Sequence, residues 1–287
     1  MTTRKIVQHG ASSLTISLPH KWTKEHNLKK GDEINIETQG RNILIHLDKK
    51  RAILEKKLSY GKNVFLKRHL LQAYLQGYGK VILEFEKQIP LSKILVQLSE
   101  LIGFEIVEQS EHHCVIINVA SAMNDEFDSM LKRLFQLTLS FSSDTLQALE
   151  NKNYDALINL LGIEKENNRL ASFCQRTLNQ KPLDSISETT ELYSLIERIE
   201  VIADALRDLC KYVNKTKKIR KEDLDFFKEI HNYFQKIYIN YYAKERNVKK
   251  LSELRLDITH RFDDLSTRVV VYLMQVMSEL HHIEVSL

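Results

Sequence analysis

Ser13-Leu14-Thr15-Ile16-Ser17-Leu18-Pro19-His20-Lys21-Trp22, continued four residues later by Asn27-Leu28-Lys29-Lys30-Gly31-Asp32-Glu33-Ile34, is the stretch on which the reading of this chain turns. Leu14, Ile16 and Leu18 alternate with Thr15 and Ser17, the period of a half-buried strand, and Pro19 ends it. Residues 20–28 carry Trp22 and an apolar end, so they read as a short helix with Gly31-Asp32 as the turn behind it. Ile34 and Ile36 alternate with Asn35 and Glu37, and a second turn at Gln39-Gly40-Arg41-Asn42 precedes the apolar run 43–47. Strand, strand, helix, strand, strand thus fit into fewer than fifty residues. So short a unit has too little interior to be stable alone without metal, disulfide or partner chain, and it contains no cysteine. Dimerisation is the expected remedy.

Working outward, the charge is uneven. Residues 1–51 hold ten Lys/Arg against five Asp/Glu, a net of +5, while the whole 287-residue chain is only +4, leaving the remainder at −1. Positive charge gathered on one small segment is the footprint of a polyanion partner, with exposed lysines that only confer solubility as the plainer alternative. A 43% hydrophobic content with 8 Gly and 3 Pro excludes disorder, collagen and a disulfide scaffold. With no long apolar run and no leader-like N-terminus, the expected location is cytoplasmic, with no membrane insertion. Cys114, Cys174 and Cys210 lie far apart on apolar stretches and are expected to be small buried hydrophobes.

Seven of the eight glycines and two of the three prolines precede residue 104, so the chain beyond about 120 is expected to be mostly helix. Residues 52–120 read as a small α/β module: a strand at 52–58, a helix through Leu66, Leu70, Leu71, Tyr74 and Leu75, a strand at 81–85, a helix at 91–102, and strands at 104–107 and 114–119. Tyr78-Gly79 and Gly103 are placed just past the two helices, and Gly77-Tyr78-Gly79 is not a phosphate loop because it follows a helix and precedes a strand. Further on, Phe127, Met130, Leu134, Leu137 and Phe141 mark one helix, and Tyr154 to Cys174 a second. After a capping-box pair Ser185 and Glu188, the stripe Leu192, Leu195, Ile199, Ile202, Leu206, Leu209 and Val213 marks a third. A basic break at 215–221 separates these from a second set of three. The expected class is α+β multidomain: 1–51 a swapped-hairpin β domain, 52–120 a small α/β module, and 121–287 two three-helix bundles, the second shortened.

The quoted stretch resembles the swapped-hairpin DNA-binding domain of the AbrB and MazE-like (SpoVT-AbrB) regulators and antitoxins. Its Leu-Pro-x-Lys-Trp form looks like the variant in front of archaeal phosphate-uptake regulators, which join it to a helical PhoU-like region. The resemblance covers residues 3–47, and the length and order of the segments downstream fit as well. It implies homodimerisation and contact with double-stranded DNA from the strands and the loop before the helix. That transfers to Arg4, Lys5, His9, Ser13, Thr15 and Lys21, with Lys24 and Arg41 as further cations for phosphates. It departs at Gly10-Ala11-Ser12-Ser13-Leu14, where many members carry an arginine, which implies weaker base readout.

PhoU-like proteins bind metal through Glu/Asp pairs at i and i+4. Here the resemblance points to Glu200 and Asp204, with Glu164 on a partner helix, as ligands of a divalent or trivalent ion. Such pairs also occur by chance on solvated helix faces, and Asn168 stands where a second carboxylate is usual, an amide being a poorer ligand. His112-His113 and His281-His282 cannot chelate as adjacent pairs, since neighbours diverge on strand and helix alike. No Walker, Rossmann, Gly-x-Ser-x-Gly or zinc-hydrolase motif is present, so an enzyme is not expected. The expected function is a dimeric, DNA-binding transcriptional regulator of phosphate uptake whose helical region senses phosphate or metal status or a partner. The alternative is a non-DNA-binding dimeric adaptor that docks on a phosphate transporter or its sensor kinase. A toxin-neutralising antitoxin is a third reading, opposed by the long helical region.

Overall fold

The computed structural model describes residues 3–10, 12–39, 42–46, 54–60, 65–87, 89–119, 126–180, 186–261 and 267–287. The chain divides into two compact units, Met1–Ala52 and Ile53–Leu287, and the architecture is α+β.

In the first unit, β1 (Val7–His9) and β2 (Ser13–Thr15) form an antiparallel hairpin with Val7 opposite Thr15 and His9 opposite Ser13. Its loop opens on Gly10 at φ +73°, a conformation glycine adopts without the Cβ penalty. Pro19 sits at the N-cap of α1 (His20–Glu25), where its missing N–H and fixed φ cost nothing. The helix ends on Asn27 at φ +53°, with the Leu28 N–H donating to the Thr23 carbonyl at 2.9 Å. A Lys29–Asp32 turn with Gly31 at φ +98° leads to the second antiparallel hairpin, β3 (Asn35–Gln39) and β4 (Asn42–His46). The paired part of the first expected strand is short: Ile16 to Leu18 continue past β2 without pairing. No described residue of this unit is buried.

The second unit begins with a four-stranded sheet in the order β5 (Glu55–Tyr60), β6 (Lys80–Phe85), β8 (His113–Asn118), β7 (Phe104–Gln109). β5 runs parallel to β6 through α2 (Leu66–Leu75), and the other neighbours are antiparallel. Val81, Leu83 and Phe85 of β6 and Cys114 and Ile116 of β8 alternate onto one buried face. There they pack with Leu70 and Tyr74 of α2 and Ile94 and Leu98 of α3 (Leu91–Leu98). The glycine that ends α2 is Gly77, at φ +84°, rather than the expected Gly79: the Tyr78 N–H reaches the Ala73 carbonyl and closes the helix two residues earlier.

The helices α4 (Phe127–Glu150), α5 (Ala156–Asn159), α6 (Leu161–Gln180), α7 (Ile186–Thr216), α8 (Lys221–Tyr242), α9 (Val248–Arg261) and α10 (Arg268–Val285) share one continuous core. α4, α6 and α7 pack on one another, as do α8, α9 and α10. α7 against α10 and α4 against α8 close the two sets together. The buried positions of α4, Leu131, Leu134, Phe135, Thr138, Phe141, Ser142, Thr145, Ala148 and Leu149, fall on one stripe at helical spacing. Its buried hydroxyls find partners: Ser142 meets His231 Nδ1 at 3.0 Å and Thr145 meets the Cys210 thiol at 3.4 Å. All three cysteines are buried and free, and burial pushes the Cys114 and Cys210 thiols up to about 11 and Cys174 up to about 12.

The α/β module and the helices are joined by a clasp. Arg176 of α6, buried, donates from Nη2 to the Tyr78 carbonyl at 2.8 Å and from Nη1 to the Tyr74 carbonyl, and its guanidinium lies 4.7 Å from the centre of the Tyr74 ring. Asn179 donates to the Leu75 carbonyl at 2.7 Å and Gln180 to the Gly77 carbonyl at 3.0 Å. These carbonyls lie at and just past the C-terminal end of α2, where most carbonyls lack intrahelical donors and partial negative charge gathers; that of Tyr74 also accepts from the Gly77 N–H at 3.0 Å. Burial lowers the Arg176 pKa to about 10, still well above neutral pH.

Candidate nucleic-acid interface

A nucleic-acid surface needs cations for phosphates and donors for base edges on a supported backbone. The first unit places Arg4 and Lys5 in the segment entering β1, His9 at the end of β1, and Ser13 directly opposite it on β2, all exposed. By strand alternation His9, Ser13 and Thr15 share one face of the hairpin and Leu14 takes the other. Thr15 is partly committed already: its hydroxyl donates to the Val7 carbonyl at 3.1 Å, leaving only its acceptor lone pairs outward. Lys21 and Lys24 are exposed in the first and last turns of α1, and the Thr23 hydroxyl donates to the His20 carbonyl at 3.0 Å on the same helix. Arg41 lies outside the described residues, as does Ser185 of the expected capping box.

Two further cations belong with these. Lys29 and Lys30 are exposed in the turn after α1, held in place because the Lys29 N–H donates to Asp32 Oδ2 at 2.7 Å. Among the described residues, Arg4, Lys5, Lys21, Lys24, Lys29 and Lys30 form no ion pair, so their charge is unspent.

The same unit exposes its apolar side chains. Ile6, Val7, Leu14, Ile16, Ile36 and Ile43 are each half or more exposed. Ile36, Ile43 and Ile45 share a face of the second hairpin with Thr38. Burying six such side chains is worth on the order of 10 kcal/mol, a driving force with no outlet inside this unit.

The acidic positions on the helices do come together. Glu164 of α6 and Asp204 of α7 meet on Arg207, whose Nη1 donates to Glu164 Oε1 at 2.9 Å and to Asp204 Oδ1, while its Nε donates to Asp208 at 2.9 Å. Asn168 donates to the same Glu164 oxygen at 2.8 Å. Glu200 is one turn away. Burial first, and then the carboxylates of Asp204, Glu197 and Glu164, push its carboxyl up to about 7. Asp204 is raised by burial, with Arg207 opposing. Arg207 and Asn168 thus occupy Glu164 Oε1, and Arg207 also occupies Asp204 Oδ1; among the described residues no group of three or more His, Cys, Asp or Glu side chains is gathered for a metal. The i, i+4 spacing of Glu200 and Asp204 was legible, and so was Arg207 one turn on; the arrival of Glu164 from α6 at that arginine was not.

Among the described residues, no helix is long and apolar enough to cross a membrane. Comparison with curated proteins and with solved structures gave no match. Residues 7–54 match the family described as Antidote-toxin recognition MazE, bacterial antitoxin. That span is 48 of 287 residues, so it bears on the hairpin unit and its exit and on nothing beyond. The first unit, with two hairpins around a short helix, unspent cations and exposed apolar side chains, is thus similar to the MazE antitoxin family over residues 7–54.

Proposed function

We propose that this chain is a homodimeric, DNA-binding transcriptional regulator, without enzymatic activity, whose N-terminal domain docks on an operator and whose helical region receives a signal of phosphate status or a partner. The observation that carries this reading is the coincidence, in one unit of about fifty residues, of unpaired exposed cations and unburied apolar strands. A second copy would cover the strands, and each cation would then appear twice about a two-fold axis, matching a site with two related halves. The phosphate part rests on the order of segments, hairpin domain, α/β module and tandem helices, which resembles the archaeal phosphate-uptake regulators.

The test is a DNA titration at several salt concentrations, comparing wild type with Arg4→Ala/Lys5→Ala. The slope of log K against log salt is expected to become shallower by roughly one unit for each DNA phosphate that the variant no longer neutralises. A wild type that ignores duplex DNA even at low salt refutes the regulator and favours the adaptor that docks on a transporter or sensor kinase. The words of the matching family favour one further reading, neutralisation of a toxin, which predicts that a toxin subunit co-purifies with the chain.

A further inference from the structure

A cavity of about 690 Å³ opens in the second unit where the α4–α5 connection, the end of α7, the α7–α8 connection and the start of α10 meet. Lys152, Lys217, Lys218 and Arg220 line it together with Tyr154 and Tyr212, against a single lining carboxylate, Asp223. That carboxylate is buried and committed, accepting from Arg220 Nη2 at 2.8 Å. Lys217 is paired with Asp155. Lys152 and Lys218 are exposed and form no ion pair among the described residues, so two positive charges at this wall are unopposed. The basic stretch 215–221, which in the sequence is only a break between helix sets, is folded into the side of a concavity.

The backbone adds an independent observation. Among the described residues three non-glycine positions have positive φ, and two of them are Lys152 at +54° and Lys217 at +52°. Lys152 closes α4, its N–H donating to the Leu149 carbonyl and that of Asn153 to the Ala148 carbonyl. This is a helix-ending position that glycine fills with least strain. Lysine at both places is held against backbone preference, which points to use of the side chains. In addition, α8, 22 residues long, begins at this wall with Arg220 as N-cap and no side chain accepting from its first amides.

We propose that this cavity binds a phosphate-bearing small anion. Lysine and arginine supply charge-assisted donors for phosphate oxygens, and the open amides of α8 add dipolar attraction. The volume is in the range of small-ligand pockets and exceeds what a lone phosphate fills, and Tyr154 and Tyr212 offer rings to a planar group, so a nucleotide is favoured over free phosphate. Its walls come from both helix sets, so an occupant bridges them. The assignment does not depend on DNA binding and is measured without DNA.

The full-length protein is titrated calorimetrically with adenosine triphosphate, and separately with pyrophosphate and inorganic phosphate. The same is done for Lys152→Glu/Lys218→Glu and for Lys249→Glu/Lys250→Glu, an equal charge reversal on exposed residues of α9 that do not line the cavity. Saturable binding of one equivalent per chain is expected, weakened about tenfold or more by the first pair and unchanged by the second. Binding confined to the triphosphate assigns a nucleotide; binding of pyrophosphate or phosphate as tight as that of the triphosphate assigns a free anion. Absence of saturable binding by all three, or equal weakening by both pairs, overturns the site. Should the double reversal unfold, Lys218→Ala, which only trims an exposed side chain, is read in its place by the same criteria.

Discussion

At the scale of single residues, Glu200 and Glu164 show how a neighbour across a helix pair redirects a pattern that one helix displays. Glu200 is pushed up to about 7 from its ordinary 4.5 by burial and by three nearby carboxylates. The native state therefore holds a proton that the unfolded chain has released between pH 4.5 and 7. Stability falls as pH rises through that window and stays lower above it. Glu200→Gln keeps the shape and removes the charge. It is expected to raise unfolding free energy above pH 7 by on the order of 1 to 2 kcal/mol after solvent screening, and to flatten the pH profile below. Urea unfolding across pH checks this, and a variant as pH-dependent as wild type between these values contradicts the assignment. The pair at positions 200 and 204 could be seen in the sequence. What it faces could not, because Glu164 is brought to it from α6 by the packing of α6 on α7, whereas Arg207 stands one turn from Asp204 on α7 itself.

At the scale of elements, Arg176 is the test case. Truncating it leaves the Tyr78 carbonyl without its donor, removes the second donor of the Tyr74 carbonyl, and opens a void beside Tyr74 and Phe104. Arg176→Ala is expected to cost about 3 kcal/mol or more, measured by denaturant unfolding, and to raise hydrogen exchange in α2 ahead of α7. Protection lost evenly over the whole unit would instead deny the clasp its local role. Nothing in the sequence marks Arg176, since it sits on α6 among residues that read as an ordinary apolar stripe. Where stripes are long, elements were legible: the series from Leu195 to Val213 is the buried face of α7. Ends were less so. The helix expected over 91–102 stops at Leu98 because the Ser99 hydroxyl takes the Val96 carbonyl at 2.8 Å, a local bond that competes with the next turn. The helix expected from Tyr154 to Cys174 is divided at Leu160 into α5 and α6, with Gly162, a weak helix former, just past the joint.

At the scale of the whole molecule, the two units differ in where their stability comes from. Ile53–Leu287 carries its own core of packed helices and sheet, whereas no described residue of the first unit is buried. Two unfolding transitions are expected. The one reported by Trp22, the sole tryptophan, is expected to rise in midpoint with protein concentration, since the proposed dimer would bury Leu14, Ile36 and Ile43, which are exposed in the single chain; the helical transition is expected not to. Leu14→Asp should abolish the concentration dependence. A tryptophan transition independent of concentration in the wild type would show the unit to be self-sufficient. Alternation and charge made this unit's order of elements readable from the sequence, because each signal is local.

The clasp at the end of α2 bears on inheritance. Three side chains within one turn and a half of α6 satisfy four carbonyls of the α/β module. A recombination event that moved the sheet without α6 would strand those oxygens, and one that moved α6 alone would carry an orphan guanidinium into a new protein. The hairpin unit, owing nothing to that clasp, is the piece that shuffling can exchange freely, whereas sheet and helices travel together or not at all.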